Sequence, residues 1–447
     1  MPLTKRWAAR LAEGSLTSRQ LVEQHIERVR DPAGEGIRVF TRLNADAALA
    51  AADHMDVLRR YGVVPSPLAG LTVAIKDLFD IAGQTTTAGS VVLEDRPPAM
   101  VDSVAVARLR AAGLIVIGRT NMTEFAFSGV GINPHFGTPR NPWDRATGRI
   151  PGGSSSGSAV AVSDGMALFG LGSDTGGSVR IPAALCGLIG FKPTAARVPL
   201  QGTFPLSATL DSVGPIAASV DDCAMLDAIL AGEAPILPPA RSVAGLRLLV
   251  PQSYLLDGLD EPVARAFERA VARLAAAGAR IAELAVPELD LIPALNAKGG
   301  FTAPEAGALH RALLAAQGHR YDPRVRSRIE RGLSMSAVDY VELIGQRAAL
   351  IERIGQIAAP YDAMLLPTVA VVAPPIADFE QDAEFTRLNM LILRNTSAIN
   401  FLDGCALSLP CQDEGEAPVG VMLAGQRGQD RQILAIGRGI EATVRGW

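Results

Sequence analysis

Ser178 follows two glycines in Thr175-Gly176-Gly177-Ser178, a run that ends one apolar stretch and opens another, Val179 to Leu188, of a length that suits a short helix. Two glycines before a serine let the backbone turn sharply and point successive N–H groups into one concavity. Such a nest at a helix start favours negative charge, which acyl transfer needs for its tetrahedral intermediate. Ser178 therefore stands where a nucleophile must. A second cluster, Gly152-Gly153-Ser154-Ser155-Ser156-Gly157-Ser158, lies upstream and is joined to the first by a mostly apolar stretch. A flexible linker would be polar throughout, whereas these clusters interrupt core-like sequence. A phosphate loop would need Gly-Lys-Ser or Gly-Lys-Thr, and the chain has neither.

Two further side chains bear on that chemistry. The only lysines are Lys5, Lys76, Lys192 and Lys298, so nearly all the basic charge is arginine, which cannot act as a base near neutral pH. Lys76 sits inside the largely apolar run Leu71 to Phe79. It reads either as a strand-end lysine reaching out to water or as a desolvated lysine whose pKa falls until it is neutral and basic. A Ser-His-Asp arrangement would instead have to use His135, with Asp174 or Asp144 as its orienting group. That histidine lies between Pro134 and Phe136 in a turn-rich loop, where structural roles are common.

The elements that must position these groups follow an α/β pattern. Residues 1–60 read as helical, with Thr17-x-x-Gln20 as a capping box and Asn44 as a second helix start. A strand over Leu71–Phe79, a helix over Val104–Ala112 closed by Gly113, and a strand over Leu114–Ile117 signal a sheet with crossover helices. Asn133-Pro134 and Asn141-Pro142 mark a loop. Phe191-Lys192-Pro193 reads as the end of the short helix, with Lys192 tying a turn. A helix from Val220, a Pro-rich break at 234–243 and a strand at Leu246–Pro251 come next. Residues 260–360 read as mainly helical, with a capped start at Ser336 and Asp339. Met364–Thr368 returns to the sheet and Ile433–Val444 closes as a helix.

At 447 residues with 48% hydrophobic and 20% charged content, the chain can bury a large core. A net charge of −4 argues against a nucleic-acid backbone as principal partner. No secretory signal and no apolar stretch of spanning length is read, so no membrane association is expected. Cys186, Cys223, Cys405 and Cys411 lack C-x-x-C spacing and read as buried free thiols in a reducing cytoplasm. The N-terminal helices offer either a packed face or a homodimer surface.

The run Gly152 to Ser158 followed by Gly172-Ser173-Asp174-Thr175-Gly176-Gly177-Ser178-Val179-Arg180-Ile181-Pro182-Ala183 resembles the amidase signature of the amidase signature family. Supporting blocks are Val73-Ala74-Ile75-Lys76-Asp77, Thr120-Asn121-Met122-x-Glu124-Phe125, Asn141-Pro142-Trp143-Asp144, Gly190-Phe191-Lys192-Pro193-Thr194 and, more weakly, Pro418 to Leu423. The usual pattern has a glycine where this chain has Ser156. The resemblance implies one α/β domain over 1–447, with a central mixed β-sheet surrounded by helices. Within it would lie an N-terminal helical segment (1–62), the signature core (68–220) and a variable, largely helical specificity region (250–400). It further implies a Ser–Ser–Lys triad: Ser178 as acylated nucleophile, Ser154 as bridge across a cis Gly153–Ser154 peptide, and Lys76 as terminal base. Thr175, Gly176, Gly177 and Ser178 would form the oxyanion hole, and Ser155 would support the triad. Arg180 would be a structural ion-pair partner rather than a carboxylate clamp. Ala126, Phe127, Ser128 and Gly129 would lie near the acyl pocket. No metal or cofactor is implied. The expected reaction is hydrolysis of a small-molecule carboxylic amide to acid and ammonia or amine. Alternatives are the glutaminase-type A subunit of a tRNA-dependent amidotransferase, a carbamoyl-type amidohydrolase of the allophanate or carboxybiuret kind, and an inactive scaffold, which the occupied triad positions oppose.

Overall fold

Eleven strands build one mixed sheet: β1 (Phe40–Leu43), β2 (Thr72–Lys76), β3 (Ile115–Thr120), β4 (Phe169–Asp174), β5 (Ile189–Lys192), β6 (Ser212–Ala217), β7 (Arg247–Gln252), β8 (Arg280–Ala285), β9 (Ala363–Pro367), β10 (Cys405–Pro410) and β11 (Gly420–Gly425). The computed structural model describes residues 3–445. Across the sheet the order is β1-β3-β2-β4-β6-β5-β10-β11-β9-β7-β8. The chain is thus a single domain with a large mixed sheet flanked by helices.

The parallel trio β3-β2-β4 positions the chemistry. Parallel neighbours need crossover connections, and the helices Val104–Ala111 and Ser156–Ser163 lie within them. Every residue of β2, β3 and β4 is buried, as expected for strands covered on both faces. Lys76 and Asp174 are the last residues of β2 and β4, so both stand at the carboxyl ends of parallel strands. In open α/β sheets that edge is where ligands gather.

Most local expectations match the structure. Thr17 accepts from Gln20 N–H and Gln20 reaches back to Thr17 N–H, completing the capping box; Ser336 and Asp339 form the second one. The crossover helix at 104–111 and the closing helix Asp430–Arg445 match as well.

Three segments differ. Residues 1–60 are not helical throughout, because β1 interrupts them as a four-residue edge strand antiparallel to β3. That pairing is non-local and leaves only a faint alternation in so short a segment. Phe191 and Lys192 belong to β5 rather than to the end of the short helix, which already closes at Leu185. β8 lies inside the stretch read as helical, at the far edge of the sheet beside β7. Asn44 does start a helix, but its side chain accepts from Gln84 Nε2 at 3.2 Å instead of capping it. No helix among the described residues is long and apolar enough to cross a membrane.

Candidate active site

Lys76 does not reach water: it is 0% exposed at the end of β2. Its Nζ donates to Ser154 Oγ at 2.7 Å and to Ser173 Oγ at 2.8 Å. It forms no ion pair among the described residues. Burial pushes the ammonium down to about 7, against the more distant pull of Asp211 and Asp174. A lysine is thus held near neutrality beside a serine hydroxyl.

Ser154 reaches that position from the turn before the helix Ser156–Ser163, and the Gly153–Ser154 peptide is cis. Its carbonyl accepts from Thr123 N–H at 3.1 Å. Ser155 ties the two glycine-serine clusters together, since its N–H donates to Ser178 O at 3.3 Å and its Oγ to Ser173 O at 3.4 Å.

The loop after β4 is held from three sides. Thr175 Oγ1 donates to Asp211 Oδ1 at 2.5 Å, and Asp211 also accepts from the N–H groups of Leu206 and Ser207. Burial raises the Asp211 carboxyl to about 6. Thr396 Oγ1, from the helix Asp382–Phe401, donates to Gly176 O at 2.7 Å. Gly177 adopts φ +134°, and a Cβ there would run into Thr396 Oγ1. The N–H groups of Gly176, Gly177 and Ser178 donate to no group among the described residues. The Ser178 hydroxyl likewise bonds to none and lines a cavity.

Arg180 faces away from that cavity. Its guanidinium is 0% exposed and grips Asp174 through Nε (3.0 Å) and Nη2 (2.9 Å), with Asn400 Oδ1 and Thr396 O completing the shell. Burial works to raise the Asp174 carboxyl, but Arg180 overcomes it and holds the group down to about 2. Asp174 Oδ2 in turn accepts from Val179 and Arg180 N–H, so this pair fixes the turn that carries Ser178.

The cavity has a volume of about 1040 Å³. Ala126, Phe127, Ser128, Thr175, Gly176 and Ser178 form part of its wall, and Tyr254, Phe301, Phe385, Leu393 and Phe401 make it largely apolar. Gly129 lies outside it, with its N–H on Asn389 Oδ1 at 3.0 Å. His135 does not join the serines: its Nε2 lies 2.9 Å from Glu124 Oε1, while Asp144 pairs with Arg149. The Ser-His-Asp alternative is therefore not assembled. No group of residues able to hold a metal ion occurs among the described residues.

Reasoning from sequence missed Ser173, although it lies inside the quoted motif. Alternation along β4 was its signal, because Ser173 must point to the face opposite its neighbours Gly172 and Asp174. It also missed Asp211 and the distal cavity wall, whose residues come from chain segments far from the signature.

A family model described as Amidase matches residues 20–434. The chain is 38% identical to 2-amino-5-chloromuconic acid deaminase of Comamonas testosteroni, over 98% of this chain and 95% of that protein. It is 35% identical to the A subunit of glutamyl-tRNA(Gln) amidotransferase from Chloroflexus aggregans (strain MD-66 / DSM 9485), over 96% and 93%. A crystal structure of an amidase superposes with a TM-score of 0.89 at 34% identity, covering 99% of both chains. The chain belongs to the amidase signature family and is an enzyme of the class that hydrolyses linear amide C–N bonds.

Proposed function

We propose that this enzyme hydrolyses a carboxylic amide to an acid and ammonia or an amine through an acyl-enzyme on Ser178, with Ser154 and Lys76 as proton relay. The observation that carries this reading is the fully buried Lys76, held near neutrality and hydrogen-bonded to Ser154 Oγ at 2.7 Å. Neutral Lys76 accepts the Ser154 proton as Ser154 accepts that of Ser178, and Ser178 Oγ attacks the amide carbonyl carbon. The relay requires Ser178 Oγ to close onto Ser154 when substrate binds, a tightening expected of reacting complexes. The oxyanion then forms against the N–H groups of Gly176, Gly177 and Ser178, which have no other acceptor among the described residues. Collapse breaks the C–N bond, and the proton on Lys76 returns through Ser154 to the leaving nitrogen. Water next attacks the ester with its proton taken by the same relay. The acid leaves as Ser178 recovers its proton.

A fluorophosphonate probe followed by peptide mapping should label Ser178, and an amide panel should release ammonia. Labelling on Ser154 or Ser155 instead overturns the assignment. A role as the glutaminase-type component of an amidotransferase is the second reading, favoured by the full-length match to such a protein. Co-purifying partner proteins together with glutaminase activity would decide for it. Four buried free cysteines fit a reducing, cytoplasmic setting.

A further inference from the structure

Four arginines, Arg324, Arg328, Arg331 and Arg394, line the cavity that holds Ser178. Two of them are each held by more than one acceptor. Arg324 pairs with Asp382 at 2.7 Å and donates to Glu380 O, and Arg394 spends its guanidinium on Asn395 Oδ1, Asp257 O and Leu255 O. Arg328 is different. It is half-buried, its Nη1 donates to Phe127 O at 2.7 Å, and its guanidinium carbon lies 5.0 Å from the centre of the Phe385 ring. It forms no ion pair, and its Nε and Nη2 find no acceptor among the described residues. Burial lowers its pKa to about 10, with Asp322 opposing from beyond contact distance. A partly buried guanidinium with Nε and Nη2 unengaged and no carboxylate beside it presents a fork that a planar bidentate anion fits.

The cavity's own carboxylates are Asp322 and Asp382. Asp382 is taken by Arg324, and Asp322 accepts from Arg324 N–H at 2.8 Å. With four arginines against these two carboxylates, the lining carries net positive charge, which disfavours a ligand's ammonium group relative to its carboxylate.

We propose that Arg328 anchors a substrate carboxylate, so that the substrate is the monoamide of a dicarboxylic acid with no ammonium group on its chain. This rests on the amidase reading above. Arg331, one helical turn further along and open to solvent, faces the same cavity and adds positive potential at its mouth.

The test has two arms. In the first, ammonia release is measured across the monoamide acids from malonamate to adipamate, the matching neutral diamides, and L-glutamine, which is glutaramate with an added ammonium. The best monoamide acid should exceed its diamide in kcat/KM by about 10–100-fold, the range set by one charge-assisted bidentate contact. Glutaramate should likewise exceed L-glutamine. Arg328→Met should erase the preference for the acid, mainly through KM, and Arg328→Lys should restore part of it. Equal use of acid and diamide, an unchanged preference in Arg328→Met, or a preference for glutamine overturns the proposal. In the second arm, glutarate binding to the Ser178→Ala protein is measured by calorimetry with and without Arg328→Met. Binding lost with Arg328 supports the anchor even if no amide is turned over, in which case the amidase reading alone falls. Glutarate that binds no better than propionate, or equally well without Arg328, overturns the anchor and leaves the hydrolase reading intact.

Discussion

Lys76 Nζ lies 2.7 Å from Ser154 Oγ, and the lysine is entirely enclosed. Because burial brings its pKa down to about 7, the amine and ammonium forms exchange near neutral pH. The relay proposed above uses the amine. kcat/KM should therefore be low below pH 7, rise through that value and level off above it, with a single acidic limb. Lys76→Arg should lose about 10²–10⁴-fold, nearly as much as Lys76→Ala, because arginine keeps the charge and cannot release its proton. A pH–rate profile of the wild type with both variants checks this. An Arg variant near wild-type turnover would reduce the lysine to a positional cation.

Ser173 gives Lys76 its second acceptor, at 2.8 Å. A hydroxyl acceptor stabilises an ammonium more than an amine, so Ser173→Ala should move the acidic limb to lower pH. The rate should fall by about tenfold, less than for Ser154→Ala, since no proton passes through Ser173. Measuring both variants on one reactive amide separates a positioning serine from a relaying one. A Ser173→Ala profile with an unmoved limb would show that the contact does not tune the lysine.

The difference between these two serines also marks how far the site was legible in the sequence. Ser178 and its glycines announced themselves because the turn they make is local, and local backbone chemistry is written in adjacent residues. That Lys76 meets Ser154 came only through the resemblance, since 78 residues separate the two and no periodicity links them. Ser173 was overlooked because its role depends on which face of β4 meets the end of β2. The strands β1 and β8 escaped for a related reason: each is an edge strand whose identity comes from its neighbour. The cavity wall was least legible. Phe301, Arg328 and Phe385 come from three separate segments and share no motif, yet converge around Ser178.

Arg180 and Asp174 make a salt bridge that is 0% exposed on both sides, two residues beyond Ser178 and four before it. Removing one partner of such a pair leaves a buried charge without compensation, which typically costs about 3–5 kcal/mol. Arg180→Met should therefore lower the unfolding midpoint sharply. The pH dependence has a definite sign. Asp174 is held at about 2, below its unfolded value, so its stabilising contribution is complete above the unfolded value and is lost as pH falls toward 2. Acid unfolding followed by circular dichroism should show the wild type losing its advantage over Arg180→Met within that window. A variant as stable as the wild type at pH 7 would show the pair to be dispensable.

Gly176 and Gly177 are adjacent and stand in the same motif, but the space around them differs. At Gly177 an added methyl group would strike Thr396 Oγ1 and come within 2.6 Å of Ile181 Cδ1, at φ +134°, where an L side chain is itself strained. At Gly176 the nearest atoms to such a group are Leu393 Cδ2 at 3.5 Å and Ser397 Cβ at 3.7 Å, both ordinary contacts. Gly177→Ala should thus push Thr396 off Gly176 O, displace the N–H groups proposed to bind the oxyanion, and cost about 10²–10³-fold in kcat, the scale of losing one oxyanion donor. Gly176→Ala should fold with near wild-type stability and act chiefly on KM, because its methyl group enters the cavity beside Leu393 rather than the loop's support. Steady-state kinetics and thermal melts of the two variants make the comparison. If both lost kcat equally with unchanged melting, bulk at either position would disturb the loop, and the support from Thr396 would not be what holds it.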